Sequence, residues 1–198
     1  YELVYNGDWT LDRYLELSRA ITQDQNGNGV FEDADFAGMV ANDASCYTSF
    51  VPGCGQFMTS VDTEGKIYLD FYTEKMISIV EKFGAVVVDP GVIQVPGAVG
   101  GVELFKNGNI LFDLGSIAGA VNFRDTDFDL GILPFPKYDE QQSNYISLDW
   151  GGLMGVPASI ANPDMVGAVI ELLAYESADT VIPAYYDVLL AGKLARDT

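Results

Sequence analysis

Val102-Glu103-Leu104-Phe105-Lys106-Asn107-Gly108-Asn109-Ile110-Leu111-Phe112-Asp113-Leu114-Gly115-Ser116 is the stretch on which the fold turns. Val102 to Lys106 reads as a helical turn, Asn107-Gly108 as a tight turn and Ile110 to Leu114 as a short strand. A further helix is expected over Ser116 to Phe123, and a strand over Leu130 to Leu133 that Pro134 and Pro136 end. Strand and helix thus alternate within a few tens of residues, the pattern of α/β architecture.

The flanks repeat the alternation. Upstream, Phe71, Lys75, Ile79 and Phe83 recur every fourth residue, with Met76 and Val80 widening the face, so Asp70 is expected to open a long helix that Gly84 stops. Glu64-Gly65-Lys66 separates Val61 from Ile67 to Leu69 in the manner of a hairpin. Phe36 to Val40 reads as a buried strand and Asn42 to Ser45 as the turn at its end. Thr10 caps a helix whose inner face is Leu11, Tyr14, Leu15, Ser18 and Ile21, after an extended start at Leu3 to Tyr5. Asp89 to Gly101, rich in glycine and interrupted by Pro90 and Pro96, reads as a loop. Downstream, Tyr145 to Trp150 and Leu153 to Val156 read as strands around Gly151-Gly152. Asn162-Pro163-Asp164 opens a helix with an apolar face of Val166, Val169, Ile170, Leu173 and Ala174, and a last helix is expected from Pro183 to about Leu190.

Composition limits function. The 198 residues are 48% hydrophobic, enough for a packed core, and carry 29 acidic against 10 basic residues, a net charge of −19. Such a charge repels nucleic acid and anionic lipid, so neither is an expected partner. There is no histidine, which excludes Ser-His-Asp, Cys-His and histidine-zinc chemistry within these residues. No apolar run is long enough to span a bilayer. The start at Tyr1 without Met reads as the interior of a longer or processed chain, with a leader and first segment preceding it. Cys46 and Cys54 read as two buried free thiols, a disulfide across Pro52-Gly53 being the alternative.

Leu104 to Phe112 followed by Gly131-Ile132-Leu133-Pro134-Phe135-Pro136-Lys137 resembles the extracellular solute-binding proteins of ABC importers, of the maltose-binding protein type. Trp9-Thr10-Leu11-Asp12 looks like the opening helix of that family's second lobe. Pro136 to Glu140 with Gln142 and Tyr145, and Pro183 to Asp187 with Lys193, Arg196 and Asp197, are similar to a clostridial-type subset of it. The resemblance implies a periplasmic-binding-protein-like α/β lobe, a mixed sheet flanked by helices. Residues 1–143 would be mostly the second, C-terminal lobe, and 144–198 the hinge crossover strands with the helices after them. It further implies a monomeric, non-catalytic receptor, extracellular as a cell-surface lipoprotein or periplasmic. Such a receptor holds a sugar between lobes and hands it to an ABC transporter permease. A peptide or other small polar solute, or a fragment of a calcium-stabilised carbohydrate-active enzyme, are the alternatives.

Sugars need aromatic platforms and a few orienting polar groups, and in open sheets these gather where strands end. The candidates are Asn42, Asp43, Ser45 and Tyr47 after the first strand, Gly115 and Ser116 after the strand at Ile110, and Trp150 beside Gly151-Gly152. A second constellation has calcium-loop spacing, with Asp24, Asn26, Asn28, Glu32 and Asp35 at positions one, three, five, nine and twelve. Gly29 stands at six and Val30 offers its carbonyl at seven. No cofactor is required by this reading, and a structural Ca2+ is the one the loop could take; an Asx-rich turn is the alternative. Asp125, Asp127 and Asp129 are read as a solvated loop rather than as a paired acid and base, and Tyr185-Tyr186 as packing between helices.

Overall fold

The structure, a computed structural model, describes residues 1–40, 45–89, 93–94, 101–148, 152 and 154–194. The fold is mixed α/β. Its first elements are α1 (Glu2–Asn6), α2 (Leu11–Ile21), β1 (Ala37–Val40), α3 (Ser45–Gly53), β2 (Thr59–Val61), β3 (Ile67–Leu69) and α4 (Glu74–Val87). Then come β4 (Ile93–Gln94), α5 (Gly101–Lys106), β5 (Ile110–Asp113), a 3-10 helix (Ile117–Phe123) and α6 (Pro163–Asp179). A short turn, Val181–Pro183, leads from α6 into a π-helical stretch, Ala184–Leu194. By contacts the chain forms two compact units, Tyr1–Gly119 with Leu133–Leu148, and Ala120–Ile132 with Asp149–Thr198.

The first unit is built on a three-stranded sheet in the order β4-β1-β5. Both pairings are parallel, with Met39 opposite Ile93 and Phe112, and Val40 opposite Gln94 and Asp113. The mixed sheet expected from the sequence is thus two separate pieces, because the antiparallel pair β2-β3 stands apart as its own hairpin. Gly65 turns that hairpin at φ +82, and the Asp62 carboxylate accepts the N–H groups of Glu64 and Lys66, each at 2.9 Å. All four residues of β1 are buried, as a parallel strand covered on both faces requires.

Helix α2 covers β1. The Thr10 hydroxyl accepts from the Arg13 N–H as N-cap, and Leu11, Tyr14, Leu15 and Ser18 are buried while Ile21 is left exposed. The helix backbone comes so close that a Cβ on Gly38 would overlap the Ser18 carbonyl oxygen, Cα and Cβ. Around this contact the core is aromatic. Tyr14 lies 4.7 Å from Phe112 and 5.1 Å from Phe50, centroid to centroid, and Phe50 lies 4.6 Å from Phe83. Cys54 belongs to this cluster as a free thiol, and burial pushes its pKa up to about 12. A second cluster joins Ala37, Val40, Leu104 and Ile110.

Several elements differ from the sequence reading, each for a local reason. Leu3 to Tyr5 is helical, closed by Gly7 at φ +79, whose N–H donates to the Val4 carbonyl. α4 begins at Glu74 rather than Asp70, because Thr73 caps it by accepting from the Met76 N–H. Asp70 is used instead to pin the hairpin, taking the Ser60 hydroxyl at 2.6 Å. Gly84 does not stop α4, which runs to Val87. Part of the loop expected over Asp89 to Gly101 is β4, its partner supplied by β1.

No strand forms over Leu130 to Leu133, Tyr145 to Leu148 or Met154 to Val156. Beyond Leu133 the chain instead docks on the residues that lead into α2: Trp9 Nε1–H donates to the Pro134 carbonyl at 2.9 Å, and Thr10 and Lys137 form a single parallel bridge in which the Leu11 N–H donates to the Lys137 carbonyl and the Lys137 N–H to the Trp9 carbonyl.

In the second unit, Asn162 caps α6 by accepting from the Met165 N–H, with Pro163 in the first turn. The face expected to be buried is not: Val169 and Leu173 are exposed, and α6 contributes no buried residue. The last expected helix is wound as a π-helix, and its Leu190 packs on Ala120 with Ile132, Tyr185 and Leu189.

Replacing Gly38 by Ala should lower unfolding free energy by about 1–3 kcal/mol or more, because the added methyl meets helix backbone that cannot rotate away. Urea denaturation checks this, and an unchanged midpoint would show that α2 does not lie on β1 as described.

Candidate functional site

In parallel sheets the loops that carry function leave the C-terminal ends of the strands. Here those ends are Gln94, Val40 and Asp113, side by side in the ladder. Because β1 and β5 are adjacent and parallel, α3 and the Gly115-Ser116 turn follow strands that end on the same edge. Gly115 and Ser116 are both exposed there. The helix expected to open at Ser116 is a 3-10 helix from Ile117, and the Ser116 carbonyl accepts from the Gly119 N–H at 2.8 Å. Ser45 and Tyr47 lie in the first turn of α3 with side chains outside the described residues, and Asn42, Asp43 and Trp150 lie outside the described residues altogether.

The sequence reading passed over Asp113, the last residue of β5. Its Oδ1 is buried without a hydrogen-bond partner, alone in this among the described residues. A Cβ on Gly115 would lie 3.1 Å from its Oδ2, so the absence of a side chain at Gly115 leaves the carboxylate room. Burial, the single cause, raises the Asp113 pKa from 3.8 to about 6. The signal was present in the sequence: an acid ending the apolar run Ile110-Leu111-Phe112, where a strand supplies no reason for charge.

The loop from Asp24 to Asp35 closes on its own side chains. Asp24 accepts the N–H groups of Gly27 and Gly29, each at 2.7 Å, and the Gly29 N–H leads in holding its pKa below the ordinary value. Asn26 accepts from Asn28 and Asn28 from Val30, two successive Asx turns. Asp35, buried, accepts from Gln25 through one oxygen and from Glu32 through the other, which ties the ends of the loop together. The donor set is all oxygen, as a hard cation such as Ca2+ requires, and each acceptor oxygen keeps a second lone pair. Among the described residues no group of three or more Asp, Glu, His or Cys is placed to hold a metal.

Two shallow depressions, of about 390 and 300 Å3, lie along α2 and are lined by residues such as Asp12, Glu16, Arg19 and Lys82 in the first and Asp8, Arg13 and Glu16 in the second. Neither is lined by a residue of β1, β4 or β5, and their ion pairs, Lys82 to Asp12 at 2.8 Å and Arg19 to Asp89 at 2.9 Å, are surface pairs of modest energy. The candidate site is taken at the strand ends, where Asp113 and the exposed Gly115-Ser116 turn lie. Asp125, Asp127 and Asp129 are exposed on an irregular segment. Tyr185 and Tyr186 meet edge to face at 5.4 Å, with Tyr185 against the small cluster of the second unit. Among the described residues no helix is long and apolar enough to cross a membrane.

Comparison of the chain with protein-family models, with curated proteins and with solved structures returns no match.

Asp113 makes a prediction about stability. A carboxyl whose folded pKa lies above its unfolded value favours the folded state when protonated, so its cost appears as pH rises from 3.8 through about 6. Asp113→Asn should therefore gain on the wild type by on the order of 1–2 kcal/mol between pH 4 and pH 7, a figure discounted for the group's partial exposure. Denaturant titrations of both proteins at the two pH values read this difference, and a gap that does not change with pH would place the carboxyl in water.

Proposed function

We propose that this chain is a non-catalytic solute-binding component of an ABC importer, a periplasmic-binding-protein-like lobe that captures a sugar or oligosaccharide at the strand ends of the β4-β1-β5 sheet. The observation that carries the reading is the C-terminal edge of that sheet. A parallel sheet brings Val40, Gln94 and Asp113 to one line, and at its β5 end the Asp113 carboxylate, its Oδ1 buried and unpaired and its Oδ2 next to the bare Gly115, precedes the exposed Gly115-Ser116 turn. A binding protein needs such an unsatisfied acceptor on a rigid element; a hydrolase needs two carboxylates about 5 to 9 Å apart. The order of the resembling segments along the chain supports the same reading, with a cell-surface or periplasmic location and a permease as partner.

Thermal unfolding with neutral mono- and oligosaccharides tests it. A sugar present at a hundredfold excess over its dissociation constant should raise the melting temperature by about 5–10 °C. Flat curves across the panel, or a sugar consumed during incubation, would overturn the assignment.

The Asp24–Asp35 loop is proposed to hold Ca2+ in a structural role, through Asp24, Asn26, Asn28, Val30, Glu32 and Asp35. The ion would add charge neutralisation to a loop its own N–H groups already fold. Chelation by EDTA should lower the melting temperature by several degrees and added Ca2+ restore it. Identical curves with and without chelator would leave the loop to its Asx turns alone.

A further inference from the structure

Asn6, Asn26, Asn28 and Asn107 each stand directly before a glycine. Such pairs are where a polypeptide most readily loses a side-chain amide, because glycine puts no side chain in the way of its own nitrogen. All four glycines lie in the left-handed region, at φ between +69 and +79, so conformation does not separate them. Their partners do. Gly7 and Gly108 each give their N–H to a main-chain carbonyl at a helix end, Val4 at 3.1 Å and Phe105 at 2.9 Å. Gly27 and Gly29 give theirs to one carboxylate, Asp24, through Oδ1 and Oδ2 at 2.7 Å each.

The two loop pairs are otherwise the most open to reaction. Asn26 and Asn28 are exposed, and no described atom lies within 4 Å of where a Cβ on Gly27 or Gly29 would stand. Asn26 Oδ1 accepts from the Asn28 N–H and Asn28 Oδ1 from the Val30 N–H, which folds each side-chain amide over the glycine peptide that would attack it. Only a deprotonated nitrogen is lacking.

We propose that Asn26 and Asn28 form a latent deamidation site, and that Asp24 guards both by holding the Gly27 and Gly29 N–H groups. In the reaction the glycine nitrogen loses its proton and bonds to the asparagine Cγ. The Cγ–Nδ2 bond breaks, ammonia leaves with the proton, and water opens the succinimide to aspartate or isoaspartate. With Asp24 in place, a charge-assisted hydrogen bond must first be given up, and the nitrogen anion would then face a carboxylate. Those same N–H groups, Gly29 first, keep Asp24 ionised by holding its pKa below the ordinary value. Each event would add a negative charge to the third or fifth position of the loop, on a protein already at −19.

Incubation at mildly alkaline pH and physiological temperature, followed by peptide mass mapping of aspartate and isoaspartate at each asparagine, tests this. EDTA is present throughout, so the result is independent of any Ca2+. In the folded wild type, residues 26 and 28 should react at least about tenfold more slowly than in the chain unfolded by guanidinium chloride. Asp24→Ala should accelerate both about tenfold to a hundredfold, and Asp24→Asn, with one oxygen and no charge, should fall between. Asn6 and Asn107 in the same samples should keep their wild-type rates. Asp35→Asn loosens the ends of the loop but leaves the Gly27 and Gly29 bonds, so it should change the rates at 26 and 28 by less than about threefold. Circular dichroism melts show which variants are folded, and the comparison of folded with unfolded wild type needs no variant.

Equal rates in folded and unfolded wild type overturn the proposal. Unchanged rates at 26 and 28 in folded Asp24 variants overturn it as well. An acceleration by Asp35→Asn as large as that by Asp24→Ala does the same, because the protection would then come from loop rigidity and not from the carboxylate.

Discussion

Backbone laid on backbone, α2 against β1 where Ser18 meets Gly38, is the contact on which the first unit depends. A side chain at Gly38 would lift the helix. With the helix seated, the Tyr14 hydroxyl reaches the Met39 sulfur at 3.4 Å and its ring reaches Phe50 and Phe112, so one residue ties α2 to α3, β1 and β5. β1 is then covered, and a covered parallel strand can hold β4 and β5 on either side without exposing its polar backbone. The line of strand ends where the candidate site stands exists because this contact is close.

The return of a distant segment completes the unit. Leu133–Leu148 comes back to α2 after an excursion through the second unit, and it is held by directional bonds more than by a strand ladder. Trp9 donates to Pro134, Thr10 and Lys137 share a bridge, and the Tyr145 hydroxyl donates to the Val4 carbonyl at 3.1 Å. The Tyr138 ring has two ammonium groups near it, Lys75 at 5.0 Å and Lys82 at 4.7 Å from its centroid, and its hydroxyl donates to Ser78. Gln142 donates to the Gly53 carbonyl at 2.8 Å and accepts from the Tyr138 N–H. Pro134 and Pro136 could not have donated to a ladder, so a clamp of side chains does what strand pairing does elsewhere.

Three aspartates separate structure from site. Asp24 is half-buried with a loop N–H on each oxygen, and Asp35 is buried with both oxygens bonded, so each serves the loop that holds it. Asp113 is sheltered from water and unbonded on its inner oxygen. Asp35, the more deeply buried of the last two, has a partner on each oxygen, and Asp113 has none on Oδ1.

Local chemistry was enough to determine much of this from residues alone. Thr10 and Asn162 marked helix starts because a cap depends on neighbours three residues away, and Gly65 marked the hairpin because a turn depends on its own φ. The strand at Ile110 and the buried strand ending at Val40 were legible from continuous apolar runs. Gly115 and Ser116 were placed at a strand end for the same reason. β4 was not legible, since Ile93-Gln94 is a strand only because β1 lies beside it. Nor was the fate of Tyr145, whose apolar neighbourhood suits a strand until Val4 claims its hydroxyl. The exposed flank of α6 reads as core in sequence, because periodicity reports that a face is apolar and not what covers it. Asp113 stood in plain view as an acid in an apolar run, yet whether an acid finds a partner is decided by atoms that arrive from elsewhere in the chain, and that is settled only when the tertiary structure closes.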